Sequence, residues 1–338
     1  MKNARPKRRR KLQACGAVAL LLIVLVAADY VTFPQSNRGG RSWNKGENAA
    51  WLQDKWYFGE KTDFERRALI DRLRAAQVRS AYFHARFIKR DGALRFHFPD
   101  EARRLNRAMK RDAPDLKSIA WIYIGNERGL TGVDIRSTHV RAQIAREVRW
   151  LSMECGFDGV QIDYEICADG DGSFLRLLDE VRRAMPRGKM LSVATPMWLP
   201  RAFGQWGWSE KYFAQVGARC DQIAIMCYDS GLWMPRSYAW LVRQQAIRVS
   251  RAIEKTNCRM LIGVPTYEDG GLSHHAHAES LRVALQAVRQ GLSNPGARPR
   301  VFDGVALFAD YTTDEDEWKT YRALWPPKVV AAKTGVKF

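Results

Sequence analysis

The sequence predicts an α/β protein, a (β/α)8 or TIM barrel that follows an N-terminal signal-anchor segment. Strand-like and helix-like segments alternate regularly along the 338 residues, which is typical of a parallel sheet with crossover helices. A single barrel of this kind needs about 250 residues, so the chain is long enough for one. Polar and acidic residues also collect at the carboxyl ends of the predicted strands, where such barrels carry their active sites.

The N-terminus has the composition of a targeting segment. An apolar run over 14–33, in which Asp29 is the single charged residue, follows basic residues that end at Lys11. About 20 apolar residues span a bilayer, and a positive flank stays in the cytoplasm. The segment therefore predicts a signal-anchor that places the rest of the chain outside the cytoplasm. Because Val26-Ala27-Ala28 resembles a small-residue cleavage site, a cleaved signal peptide and a secreted protein are the alternative.

Four regions are expected: a basic and apolar N-terminus over 1–33, a polar linker over 34–50, the barrel over 51–325 and a tail over 326–338. The predicted strands are Trp51–Phe58, Val78–Ile88, Leu116–Ile124, Gly156–Glu165, Met190–Thr195, Gln222–Tyr228, Met260–Pro265 and Phe302–Phe308. The predicted helices are Phe64–Ala76, Glu101–Arg111, Ser137–Glu154, Gly172–Met185, Glu210–Val216, Tyr238–Lys255, Ala278–Gln290 and Asp314–Leu324.

The composition is that of a packed and strongly basic protein. Hydrophobic residues make up 46% of the chain and 12 residues are Trp, which argues against disorder. The net charge is +19, and the first 11 residues carry seven of the positive charges. The other basic residues are spread over Arg-rich helices, a surface that favours anionic lipids or acidic glycans. No basic cluster carries a nucleic-acid motif, so we expect no nucleic-acid partner.

The cysteines and histidines show no metal-ligand spacing. Cys15 lies in the apolar segment, which leaves five of the six cysteines in the body of the chain. Cys220 and Cys258 each precede a predicted strand, and because these strands are expected to be neighbours, a disulfide between them is one hypothesis. Buried free thiols are the alternative. The histidines within 274–277 lack a matching carboxylate, and we expect neither a metal nor a cofactor.

The fourth predicted strand is the most informative segment, because it ends in two acids spaced two residues apart. Side chains alternate along a strand, so Gln161, Asp163 and Glu165 point to one face and the residues between them to the other. Two carboxyls on one face repel each other, and their burial is costly unless something compensates it. Such a pair raises the pKa of one carboxyl so that it can donate a proton near neutral pH. An acidic strand end that faces solvent is the alternative.

The same segment, Asp158-Gly-x-x-x-Asp163-x-Glu165, resembles the fourth-strand signature of glycoside hydrolase family 18, the chitinases and endo-β-N-acetylglucosaminidases. The pattern of that family is Asp-Gly-x-Asp-x-Asp-x-Glu, in which the Glu is the proton donor. The resemblance implies that Glu165 donates the proton and that Asp163 assists it. Gln161 occupies the position of the family's first Asp, so the motif departs from the pattern there.

Two further motifs resemble the same family and follow in its order along the chain. Met226-x-Tyr228-Asp229 is similar to the sixth-strand Met-x-Tyr-Asp, and Gly263-Val264-Pro265-x-Tyr267 is similar to the seventh-strand Gly-x-Pro-x-Tyr. The resemblance implies that Tyr228 contacts the acetamido group of the substrate. It also implies that Met226, Asp229 and Tyr267 help to bind the sugar, although Asp229 equally suits a helix N-cap.

Other strand ends depart from the family. Ile124-Gly125-Asn126 occurs where Ser-x-Gly-Gly is common in the third strand, and Phe308 is expected in place of the Trp that forms the floor under the reacting sugar. A phenyl ring still stacks on a sugar, with less area and no indole donor. Trp198, after the fifth strand, is a further candidate for sugar contact, with packing against the scaffold as the alternative. The other loop tryptophans with these two interpretations are Trp206, Trp208 and Trp233.

The resemblance implies a retaining glycosidase in which the acetamido oxygen of the substrate is the nucleophile, an exception to the two-carboxylate scheme. Asp163 would hold the acetamido group, and Gln161 would be its neutral hydrogen-bonding partner. The expected substrate is an extracytoplasmic glycan with β-1,4-linked N-acetylglucosamine or a related N-acetylhexosamine. A carbohydrate-binding barrel without turnover is one alternative, motivated by Gln161 and Phe308. A hydrolase of an anionic exopolysaccharide is another, which the basic surface would suit.

Overall fold

The computed structural model describes residues 5–34, 42–126, 131–200, 206–268, 271 and 273–326. In this part of the chain eight parallel strands close into a barrel in sequence order, which confirms the predicted fold class. The strands are β1 Asn48–Leu52, β2 Val78–Phe87, β3 Lys117–Gly125, β4 Gly159–Glu165, β5 Met190–Thr195, β6 Gln222–Met226, β7 Arg259–Pro265 and β8 Phe302–Phe308.

Helices follow the strands on the outside of the barrel, and one long helix precedes it. The helices are α1 Arg5–Thr32, α2 Asp63–Ala75, α3 Pro99–Asp112, α4 Thr138–Met153, α5 Gly172–Ala184, α6 Glu210–Gly217, α7 Pro235–Gln244, α8 Ser250–Ala252, α9 Leu281–Leu292 and α10 Glu315–Leu324. A π-helical segment, Gln245–Val249, joins α7 to α8. The predicted helix Tyr238–Lys255 is therefore found as consecutive helical segments with a π-helical segment between them.

The first strand differs from the prediction. It runs over Asn48–Leu52 instead of Trp51–Phe58, and a 3-10 helix over Asp54–Trp56 follows it. Trp56 and Tyr57 are buried in the outer core, so their apolar character serves packing outside the sheet. The strand starts before the predicted barrel boundary at residue 51. The prediction begins too late because Asn48 and the alanines after it carry no strong strand signal.

The sheet separates an outer core from an inner one. The outer core lies between strands and helices and includes Val160, Ile162 and Tyr164 from β4. The inner core fills the barrel with large rings and small side chains, since the interior of an eight-stranded barrel is just wide enough for side chains to fill it. Its buried members include Ala49, Trp51, Tyr82, Ile119, Trp121, Ala194, Ala224, Leu261 and Ala306.

Capping side chains start several helices at one end of the barrel. At α2 the Thr62 hydroxyl accepts a hydrogen bond from the backbone N–H of Glu65, and the Glu65 carboxylate accepts one from the backbone N–H of Thr62. Asp314 and Glu317 form the same capping box at α10. Such caps contribute about 1 kcal/mol each. Since the helices begin after the strands end, these starts lie at the carboxyl end of the barrel, which we call the mouth.

The N-terminal helix contains the segment Gln13–Thr32, which is long and apolar enough to cross a membrane by length and composition. Two cysteines precede the neighbouring strands β6 and β7, as predicted. The Sγ atoms of Cys220 and Cys258 lie 3.7 Å apart as free thiols, so the structure holds the alternative to the disulfide hypothesis.

Candidate active site

Strand β4 directs Gln161, Asp163 and Glu165 to the inside of the barrel. Tyr164 points the other way and stacks on Phe174 of α5, with ring centroids 5.3 Å apart. This alternation follows from the pleat of the strand. The strand therefore presents a neutral amide and then two carboxyls in successive steps toward the mouth.

Gln161 belongs to a hydrogen-bonded group of neutral side chains, which we call the lower layer: Trp51, Tyr82, Gln161, Ser192 and Gln222. The Trp51 indole donates to Gln161 Oε1 at 2.7 Å, and Gln161 Nε2 donates to Ser192 Oγ at 3.1 Å. The hydroxyls of Ser192 and Tyr82 donate to Gln222 Oε1 at 3.0 and 2.5 Å. All five residues are buried, and the chain of bonds ties β1, β2, β4, β5 and β6 together.

Asp163 lies one step nearer the mouth and is only partly hydrogen-bonded. Its Oδ2 accepts from the Trp121 indole at 2.9 Å, whereas its buried Oδ1 has no hydrogen-bond partner in the described part of the chain. The expected partnership with Gln161 is absent, because Trp51 and Ser192 occupy that amide. Asp163 and Glu165 together form what we call the upper layer.

The surroundings of the upper layer raise the pKa of both carboxyls. Burial raises the pKa of Asp163 well above its usual value, the charge of Glu165 adds to this, and the bond from Trp121 partly opposes it. Burial also raises the pKa of Glu165, and the charge of Asp229 adds to it. Because the two carboxyls interact, the pair retains a proton to higher pH than an isolated carboxyl would. Glu165 is only half-buried, so a ligand can reach that proton.

Aromatic rings form one wall of the mouth beside these acids. Tyr228 stacks on Phe308, with ring centroids 4.5 Å apart and planes 16° from parallel. Trp51 meets the two rings edge-on at 6.2 and 5.6 Å, and Tyr267 meets them at 6.4 and 5.9 Å. Met226 packs against the same inner core. Four predicted substrate contacts, from β6, β7 and β8 or the loops after them, are thus brought together.

Tyr228 is suited to donate a hydrogen bond. Burial raises the pKa of its hydroxyl well above the usual value, and the nearby charge of Asp163 adds to this, so the group stays neutral. No hydrogen bond to a described residue occupies the hydroxyl. A neutral phenol beside two carboxyls is a donor that a ligand can use.

Asp229 supports this wall from the rim. It has a positive φ of 54°, and its Oδ1 accepts from the Tyr267 hydroxyl at 2.7 Å. His274 Nδ1 lies 3.8 Å from the same oxygen and 3.3 Å from Glu279 Oε2, with both His274 and Glu279 buried. Because α7 begins at Pro235, the alternative role of Asp229 as a helix cap is not found.

Trp198, a predicted sugar contact, lies outside this group. It is buried in the outer core, and the Arg248 guanidinium sits over its ring at 4.3 Å. The backbone N–H of Trp198 donates to Gln245 Oε1 at 2.7 Å, and Gln245 Nε2 donates to the carbonyl of Trp198 at 3.0 Å. Trp198 therefore packs against the helical layer and faces away from the mouth. Trp208 is buried as well, whereas Trp206 and Trp233 are each 64% exposed.

Two residues that bond the predicted site, and a third that stacks on one of them, are not recognisable in the sequence. Trp51 bonds Gln161, Trp121 bonds Asp163, and His84 stacks on Trp121 with ring centroids 3.9 Å apart. Burial lowers the pKa of His84 to about 3, so this imidazole is neutral. Their only signal in the sequence is that each lies in a predicted strand, and the register between strands decides which of them face the acids.

No family model and no curated protein matches this sequence. Solved structures do match, and they share the barrel fold. The Bacillus cereus spore cortex-lytic enzyme SleL has a TM-score of 0.56 and 15% identity, covering 83% of this chain and 75% of its own. A chitinase from Chromobacterium violaceum has a TM-score of 0.53 and 15% identity, with 82% and 99% covered. The Group IV chitinase of Ostrinia furnacalis has a TM-score of 0.56 and 13% identity, with 83% and 100% covered.

At these identities the similarity shows the fold. The chain has the barrel fold of the chitinases, as the sequence motifs predict.

Proposed function

We propose that this chain is an extracytoplasmic glycoside hydrolase that cleaves β-1,4 linkages at N-acetylglucosamine residues by substrate-assisted acid catalysis. The observation that carries the proposal is the incomplete upper layer at the mouth. An unsatisfied buried acceptor costs about 1–3 kcal/mol, and Asp163 Oδ1 is such an atom. A bound acetamido N–H would complete it. The chitinases and the cortex-lytic enzyme that share the fold support this choice of substrate class.

Glu165 would act first as an acid and then as a base. Its proton passes to the glycosidic oxygen while the bond from that oxygen to C1 breaks, and the leaving sugar keeps the electron pair. The acetamido carbonyl oxygen forms a bond to C1 from the opposite face and gives an oxazolinium ion. Water then attacks C1 while the bond from C1 to the acetamido oxygen breaks and its electron pair returns to that oxygen. The water passes a proton to Glu165, so the product retains the configuration at C1.

Asp163 and Tyr228 would hold the acetamido group during this reaction. Asp163 Oδ1 accepts from the acetamido N–H and stabilises the positive charge that develops on the ring. Tyr228 donates to the acetamido carbonyl and orients it toward C1. Gln161 takes no proton in this scheme because it is neutral and its amide is bonded to Trp51 and Ser192. The proton therefore stays within the upper layer.

The test compares two fluorogenic substrates with the full-length protein. Methylumbelliferyl chitobioside carries the acetamido group, and methylumbelliferyl cellobioside is the matched control that lacks it. We expect hydrolysis of the first with retention, seen by NMR, and at least 100-fold slower hydrolysis of the second because the nucleophile is missing. Equal rates would contradict substrate assistance. Binding of chito-oligosaccharides without hydrolysis would instead support a carbohydrate-binding barrel.

A basic cavity favours a second candidate, a hydrolase of an anionic glycan. A cavity of about 290 Å³ at the ends of β2 and β3 is lined by Lys89, Arg90, Arg95 and Thr131. Lys89 Nζ lies 3.2 Å from Asp91 Oδ2, whereas neither Arg90 nor Arg95 forms an ion pair with a described residue. The Thr131 hydroxyl bonds the carbonyl of Gly125 at 2.9 Å. Gly125 pairs in register with Glu165, so the cavity lies one strand away from the acid.

The double substitution Arg90→Gln and Arg95→Gln tests this candidate. If a carboxylate or phosphate of the substrate occupies the cavity, KM for a substituted glycan rises about tenfold, as the loss of charge-assisted hydrogen bonds predicts. KM for a neutral chito-oligosaccharide stays unchanged. Arg187→Gln, at the opposite end of the barrel, is the matched control. Equal effects on both substrates would contradict the anionic subsite.

A further inference from the structure

The end of the N-terminal helix is bonded to the rim of the mouth. The Arg236 guanidinium donates to Asp29 Oδ1 at 2.6 Å and to the Thr32 carbonyl at 2.7 Å. The backbone N–H of Arg236 donates to Asp29 Oδ2 at 3.1 Å, and the side chain of Asp29 is only 5% exposed. The Tyr30 hydroxyl donates to the carbonyl of Trp233 at 2.8 Å. The last turn of α1 therefore has a specific partner on the barrel.

This contact fixes which end of the barrel meets the helix. Arg236 is the second residue of α7, and α7 begins at the mouth because it follows β6. The apolar side chains of Leu20–Leu25 are all at least half-exposed, so the earlier part of the helix leaves its apolar surface open. A bilayer would cover that surface up to the turn that holds Asp29.

Beside the contact lies an apolar stretch of rim, which we call the rim patch: Leu199, Trp206, Leu232, Trp233 and Trp240. A groove of about 630 Å³ is lined by four of them together with Arg236, the residue that binds Asp29. Trp206 and Trp233 are each 64% exposed and Trp240 is 42% exposed. Tryptophan prefers the interface between water and lipid, where its ring is buried and its indole N–H stays hydrated.

We propose that the rim patch lies in the outer interface of the membrane that α1 spans. The proposal rests on the signal-anchor and on the uncleaved N-terminus. Its occupant is the lipid headgroup region, because the patch shares Arg236 with the point where the helix would leave the bilayer. The mouth then lies close to the membrane surface, and the glycan that enters it is one attached to the membrane or lying against it.

The test uses the full-length protein in liposomes of phosphatidylcholine with phosphatidylglycerol. A fluorophore on Ser237→Cys, in the groove, reports on the patch without removing a tryptophan. Cys15→Ser provides the background, since Cys15 is exposed and the other five cysteines are buried. Lipids with a spin label near the headgroup should quench this fluorophore at least threefold. The double substitution Trp233→Ser and Trp240→Ser should reduce that quenching at least twofold.

Two control positions define the orientation. Labels at Phe64→Cys and Ser293→Cys serve as these controls. Phe64 lies on the rim across the barrel and is 80% exposed, and Ser293 follows α9 at the end of the barrel opposite the mouth. Neither label should be quenched. Equal quenching at all three positions would indicate unspecific adsorption and overturn the proposal.

The remaining outcomes separate this proposal from the others. A protein that floats with liposomes while the groove label stays in water overturns the docking of the rim patch and leaves the hydrolase proposal intact. A protein that does not float with liposomes overturns the anchor as well. Shielding of the groove label by a soluble chito-oligosaccharide, without lipid, would assign the tryptophans to sugar binding and overturn the membrane contact. None of these measurements depends on glycosidase activity.

Discussion

The lower and upper layers lie one above the other in the same barrel, yet they treat polar groups in opposite ways. In the lower layer five neutral side chains are linked by hydrogen bonds from Trp51 through to Tyr82. In the upper layer, among the residues that the structure describes, one oxygen of Asp163 has no hydrogen-bond partner and no hydrogen bond involves the carboxyl of Glu165. The barrel interior provides hydrogen-bond partners for the buried polar side chains of the lower layer, so it is able to provide them for two carboxyls as well. Their open bonds therefore point to a ligand and not to a defect of packing.

Glu165→Gln should give the largest effect, because it removes the proton donor from the upper layer. We expect turnover of methylumbelliferyl chitobioside to fall by about 10²- to 10⁴-fold, the usual contribution of a general acid. The melting temperature should not fall, since a neutral amide replaces a carboxyl whose pKa burial has raised. Activity and thermal unfolding would be measured on the same preparation. A variant with more than a tenth of the native turnover would exclude Glu165 as the donor.

Gln161→Leu should damage the lower layer instead, and its effect is on stability. The substitution leaves the Trp51 indole without its acceptor and Ser192 Oγ without the bond it accepts from Gln161, while Ser192 still donates to Gln222. At about 1–3 kcal/mol for an unsatisfied buried group, we expect a loss of about 2–4 kcal/mol in urea unfolding. The folded fraction should keep most of its activity.

Gln161→Glu is the matched variant for the lower layer. A carboxyl at this fully buried position would have a folded-state pKa above its unfolded value. The variant should therefore be near native stability at pH 4 and lose stability as the pH rises through the folded-state pKa. If both Gln161 variants were as stable as the native chain at pH 7, the lower layer would have no structural role.

Tyr228→Phe should have a smaller effect on turnover than Glu165→Gln. It removes the hydroxyl that would hold the acetamido carbonyl, while the ring keeps its stacking on Phe308. The loss of one hydrogen bond to a group that becomes charged predicts a decrease of about 10- to 100-fold in kcat/KM. Trp198→Phe is the control, because Trp198 lies in the outer core. An equal loss of kcat/KM in both variants would contradict the assignment of Tyr228.

The fold could be predicted almost completely from local patterns. The bounds of β5 and β8 match the prediction residue for residue, because each is a short apolar run between clear turns. The first strand could not be placed, since the rings of Trp56 and Tyr57 mimic a strand while they pack in the outer core. Local periodicity does not distinguish these two kinds of burial.

The positions of the candidate site residues could be predicted from the alternation along one strand and from motifs at strand ends, but not where they depend on the register between strands. The alternation along β4 predicts that Asp163 and Glu165 face the same side, and the structure has them so. The donors from Trp51 and Trp121 depend on the register between strands, which no local pattern reveals. Trp198 shows the same limit, because its contact with Arg248 depends on the tertiary fold and not on a local pattern.

The effect of Asp163→Asn on the free energy of unfolding should be the smallest of these effects, and it is a change in how stability depends on pH. Burial raises the folded-state pKa of Asp163 above the unfolded value of about 4, so ionising this group in the native state costs free energy. Native stability should therefore fall as the pH rises from 4 through the folded-state pKa. The Asn variant lacks this fall and should be more stable than the native chain at pH 8 by on the order of 1 kcal/mol, with no advantage at pH 4. Parallel pH curves for the two proteins in urea unfolding would show that burial does not raise the folded-state pKa of Asp163, and the contrast between the two layers would lose its electrostatic part.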